Sequence, residues 1–92
     1  MNGDPRVAQL ARILGCEREE LVGAGALALV RANAIRLAEG LFEEAAASDD
    51  VISVEGAREY VGLRLAYLGD LVPADAADAV RARFDELAAR WG

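Results

Sequence analysis

From Leu21 to Val30 the chain runs for 10 residues without a charge, and through Ala32 it carries only one, Arg31. Leu21, Val22, Leu27, Leu29 and Val30 alternate with small residues, so a helix laid over this stretch has almost no polar side. A helix that is apolar all round is ordinarily buried all round. The run is well short of the ~20 residues that span a bilayer, so its cover must come from protein. The 92-residue chain has little to give, because twenty of its apolar residues are Ala. A domain of this size buries little more than ~60% of its unfolded surface. Two sources of cover are open: the chain's own first and last helices, or a second copy. Ala24, Ala28 and Ala32 recur every four residues, a seam that lets a neighbouring helix approach closely.

The rest of the sequence reads as helix, with no strand-like alternation of useful length. A first helix opens at Asp4-Pro5, an N-cap followed by proline at the first helical position. Val7, Leu10, Ala11 and Leu14 make its apolar stripe, and Gly15 ends it as a left-handed cap. A second segment opens with Glu17, Glu19 and Glu20, which suit a helix N-terminus, and runs to about residue 47. Gly23 and Gly25 make it open to a kink or break. Beyond them Leu27, Val30, Ala34, Leu37, Ala38, Leu41, Phe42 and Ala45 share one face, closed by the polar turn Ser48-Asp49-Asp50. A third helix is expected over 54–68, with Ser53 as its cap and Gly69 and Pro73 marking its end. The fourth starts near Pro73 and runs to about residue 90. Its stripe is Val80, Phe84, Leu87 and Trp91, and Glu86 can pair with Arg90 on the outside. The expectation is one all-α domain over residues 1–92, a small bundle of about four helices.

Composition narrows the chemistry. There is no His, no Lys and no Thr, and there is one Cys. That removes Ser-His-Asp and Cys-His catalysis, the imidazole base, Schiff-base chemistry and the Walker-type phosphate loop. One Cys without His cannot supply a zinc set either. No enzymatic role and no cofactor are expected. A net charge of −6 with no strongly basic segment disfavours nucleic acid. A lone Cys fits a reducing cytoplasm. The start, Met1-Asn2-Gly3-Asp4-Pro5, has neither the basic flank nor the apolar core of a signal peptide.

Three features are candidates for function. The first is the apolar stretch itself, with Leu27, Ala28, Val30, Arg31 and Ala32 as interface residues, joined by Arg64. Arg31 falls inside the apolar arc of the second segment and Arg64 inside that of the third. A guanidinium so placed must find a carboxylate, snorkel out or anchor a partner. A hairpin of the second and third segments centred near residue 50 makes Asp70 the expected partner of Arg31. The second feature is the corner at residues 7–26, where Ala11, Gly15 and Leu21 have helix-turn-helix spacing. Its base-facing residues would be Glu17, Arg18, Glu19 and Val22, a poor match to phosphates. The third is the acidic set Glu39, Glu43, Glu55 and Glu59, which could bridge metal ions but lacks the usual Glu-x-x-His. Cys16 reads as a cap-region or buried thiol. The leading expectation is a non-enzymatic, self-associating helical interaction module that presents helical surfaces to a protein partner. A small DNA-binding regulator is the alternative, and a carboxylate-bridged metal protein is the second alternative.

Overall fold

Asp4 starts the first helix as its chemistry demands: its Oδ1 accepts the backbone N–H of Arg6 at 2.9 Å, meeting one of the donors a helix start leaves unsatisfied. In the computed structural model, which describes residues 4–91, α1 spans Pro5–Leu14 and ends at Gly15 with φ 70°. Met1-Asn2-Gly3, part of the start read as unlike a signal peptide, lies outside the described residues. A 3-10 turn covers Arg18–Leu21. The helices that follow are α2 (Ala26–Ala32), α3 (Ala34–Ala47), α4 (Val54–Leu68) and α5 (Ala74–Ala88), with a 3-10 turn at Gly69–Leu71 before α5. Ser53 caps α4 by accepting the N–H of Gly56 at 3.0 Å, and Gly69 leaves it with φ 56°. Among the described residues every regular element is helical, and none is long and apolar enough to cross a membrane.

Among the described residues the architecture is all-α, with five helices where about four were expected. The second segment breaks twice rather than once. Around Gly23 and Gly25 the chain forms turns instead of helix. A second break falls at Asn33, which leaves the helical region at φ −116°, ψ 22°. Its Nδ2 donates to the carbonyl of Leu29 at 2.8 Å. An amide that bonds the backbone four residues back competes with the helical ladder and bends it.

α3 is the central helix, packed against α1, α4 and α5. Leu37, Ala38, Leu41 and Ala45 on α3 are wholly enclosed, as are Leu10 of α1, Ala57 of α4 and Val80 and Phe84 of α5. Phe42 meets Phe84 and Trp91 edge-on, each with ring centroids 5.6 Å apart. Gly40 admits α1: a methyl group there would overlap Ile13 Cγ2. The Glu86–Arg90 pair does not form. Glu86 instead accepts from Arg83 at 3.0 Å, and Arg83 also reaches Glu39 of α3 at 3.1 Å, tying α5 to α3.

Candidate functional site

α2 packs on α5 and on the two 3-10 turns. This contact buries Val30 alone among its seven residues. Leu27 is 44% exposed, Ala28, Arg31 and Ala32 are open to solvent, and nearby Val22 is 68% exposed. The chain's own helices therefore do not enclose the apolar stretch. Five of the expected interface residues separate accordingly. Leu27, Ala28, Arg31 and Ala32 lie on the open side, whereas Val30, at 1% exposure, belongs to the core. α2 and α3 are separate helices divided at Asn33, and the buried face of α3 does not continue through Leu27.

Arg31 does find a carboxylate, but not the expected one. Its Nε donates to Asp75 in the first turn of α5, at 2.9 Å to Oδ2 and 3.2 Å to Oδ1. Asp70 lies instead 3.7 Å from Arg6 Nη1. A straight second segment would set Arg31 opposite Asp70, whereas the broken one delivers it to α5. With Arg31 neutralised by Asp75, the open side of α2 presents apolar and small side chains with no uncompensated charge.

Arg64 is a different case. No carboxylate stands three or four residues away on α4, where its neighbours are Tyr60, Val61, Tyr67 and Leu68. Its guanidinium carbon lies 5.9 Å from the ring centroid of Tyr60 and 5.2 Å from that of Tyr67. Stacking on two rings is a cation–π arrangement. Its Nε is shut from solvent and has no hydrogen-bond partner among the described residues. Beside it Leu63 is 65% exposed and Tyr67 42%. α4 is thus apolar on more than its core side: Ala57, Val61, Leu65 and Leu68 face the core, half-buried Tyr60 packs at its edge, and Leu63 and Tyr67 lie open. Arg and Tyr are the side chains enriched where interfaces carry most of their energy.

The corner at residues 7–26 keeps its buried positions, since Leu10, Ala11, Leu14 and Leu21 are all enclosed. Its second helix is a 3-10 turn of four residues, about 8 Å long at ~2 Å per residue. Glu17, Arg18, Glu19 and Val22 are all exposed, but no helix carries them into a groove. Arg18, Glu19 and Val22 instead border a cleft of about 360 Å³ with Asp4, Val7, Leu21 and Leu71. Cys16 nearby is half-buried. Burial, then Glu20 and Glu17, pushes its thiol above the ordinary range, which keeps it protonated and poorly nucleophilic.

Glu39, Glu43, Glu55 and Glu59 are not brought together. Glu39 is engaged by Arg83, and among the described residues no three Cys, Asp or Glu side chains are grouped to hold a metal ion. The carboxylate that does join elements is Glu44, absent from that set. Its Oε1 accepts from Tyr60 Oη of α4 at 3.1 Å and from Gln9 Nε2 of α1 at 3.4 Å. Arg12 Nη2 stands 3.7 Å from its other oxygen. Burial and the adjacent Glu44 carboxylate raise the Tyr60 hydroxyl above its ordinary value. Gln9, 8% exposed, is the one buried polar residue among those described, and Glu44 is what it bonds.

No protein family, curated protein or solved structure matches this chain.

Proposed function

We propose that the chain is a non-enzymatic helical interaction module, which self-associates through α2 and offers further helical surface to a protein partner. The observation that carries this reading is the state of α2, a seven-residue helix that its own chain covers at Val30 and leaves open at Leu27, Ala28 and Ala32. An isolated helix so short is unstable in water, so α2 persists through packing. Burying Leu27 and Val22 against a neighbour adds to that packing, at about 25 cal/mol for each Å² of apolar surface removed from water. Charge at this surface does not oppose a like partner. A chain at −6 repels its own copies unless the joined surface is neutral, and Arg31 with Asp75 makes this one neutral.

Light scattering over a dilution series tests the reading. A mass above one chain at high concentration, falling on dilution, is expected. Leu27→Asp and Val22→Asp should each lower the mass below that of the native chain at the same concentration, with the helical circular dichroism unchanged. Val30→Asp is not an interface test, because it places a carboxylate in the core and unfolds the protein. A single-chain mass at every concentration, or an assembly indifferent to Leu27→Asp and Val22→Asp, overturns the proposal.

A further inference from the structure

Arg64 holds an orphaned donor on a helix whose half-buried Gly56 and Tyr60 and exposed Leu63 and Tyr67 are spaced for pairing. Gly56, Tyr60, Leu63 and Tyr67 follow one another at intervals of four, three and four, the rhythm of a coiled-coil seam. Glu59 and Arg64 flank that seam on opposite sides, five residues apart. In two parallel paired helices this is the separation at which a flanking residue of one strand meets a flanking residue of the other. Glu59 is exposed and makes no hydrogen bond or ion pair among the described residues, and Arg64 has no carboxylate partner there.

We propose that α4 pairs in parallel with α4 of a second copy, Tyr60, Leu63 and Tyr67 meeting their counterparts while Arg64 of each chain engages Glu59 of the other. The two-fold axis makes both ion pairs at once and closes the contact. Charge complementarity selects the occupant. The seam offers one acid and one base in the register that a parallel copy of itself satisfies. An antiparallel copy would set like flanks together. The Arg64 fork, already held by two tyrosine rings, loses little freedom when it takes the carboxylate. This proposal names the occupant of one surface of the interaction module and rests on that reading, but it uses a different helix from α2.

The test is a charge exchange read by light scattering. Arg64→Glu leaves two acids flanking the seam and Glu59→Arg leaves two bases, so neither variant can pair with itself along α4. Mixed in equal amounts, they recover both ion pairs. The expected result is a weight-average mass rising up to two-fold on mixing, above that of either variant alone, with the gain lost in high salt. No gain on mixing, with both variants folded by circular dichroism, overturns the proposal. If each variant associates alone as the native chain does, without gain on mixing, α2 carries the assembly and the α4 pairing is wrong. Leu27→Asp tests α2 separately, so the two failures are distinguishable. Should a charge variant lose its fold, Leu63→Asp decides at a 65% exposed position: it lowers the native mass if α4 pairs and leaves it unchanged otherwise.

Discussion

Arg31 on α2 and Asp75 at the start of α5 form a two-oxygen contact, with Nε at 2.9 and 3.2 Å from the carboxylate. The acid sits in the first turn of α5, where the helix dipole already favours it. Both side chains are more than half exposed, so the pair contributes at most about 1 kcal/mol. It is nevertheless the only ion pair between α2 and the other described elements. Asp75→Ala should therefore lower Tm by no more than about 8 °C. The same change should accelerate amide exchange in 26–32 more than in α3. A uniform acceleration along the chain would show that Arg31 does not tether α2 specifically.

Two glycines in helix interiors answer the same substitution with opposite signs. Gly62 of α4 has no atom within 4 Å of the place a methyl would occupy. Gly62→Ala should stabilise by about 0.5–1 kcal/mol through reduced freedom of the unfolded chain. At Gly40 the same methyl overlaps Ile13 Cγ2, and the overpacking cost of about 1–3 kcal/mol exceeds the propensity gain. Gly40→Ala should destabilise. Urea unfolding of both variants checks the pair, and equal shifts would mean that α1 and α3 do not meet closely at Gly40.

The helix ends and the buried stripes were legible in the sequence because their causes are local. Asp4, Gly15, Ser53 and Gly69 act through backbone geometry within a few residues, and each stands where its chemistry implies. Asn33 was not legible as a break, because an Asn inside an apolar helical run shows no sign of which carbonyl its amide will bond. With α2 set apart from α3 at Asn33 and from the 3-10 turn at Gly23 and Gly25, Val30 lies inside, Leu27 outside, and Arg31 meets Asp75. The role of Glu44 is not legible for another reason. Its partners come from α1 and α4, and only packing brings Gln9 and Tyr60 to it. Arg64 was recognisable as a charge within an apolar arc, whereas its two-ring stacking and orphaned Nε depend on rotamers that spacing does not specify.

Leu41 and Leu63 separate core from surface under one substitution. Leu41 is fully enclosed on α3, and Leu41→Ala should cost about 2–5 kcal/mol, a large part of the stability of so small a protein. Leu63 is 65% exposed, and Leu63→Ala should stay within about 0.5 kcal/mol in a monomeric sample. Chemical denaturation at low concentration measures both. A comparable loss at Leu63 would place it in the fold rather than on a free face of α4.

The Tyr60 hydroxyl gives stability a dependence on alkaline pH whose sign is fixed by its environment. Burial first, and then the Glu44 carboxylate it donates to, raise its pKa in the folded chain above that of an unfolded tyrosine, about 10. Between the two values the unfolded chain has released its proton while the folded chain retains it. Folding stability contributed by this group is therefore complete below about pH 10 and declines as pH rises through the folded value. Tyr60→Phe removes that titration and the hydrogen bond to Glu44, so native and variant should show parallel stability profiles at neutral pH and converge at alkaline pH. In a Tyr67→Phe background one tyrosine remains, and its ultraviolet titration should lie above that of the urea-unfolded chain. A titration below the unfolded one would mean that the Arg64 cation outweighs burial and Glu44 at this hydroxyl, reversing the expected slope.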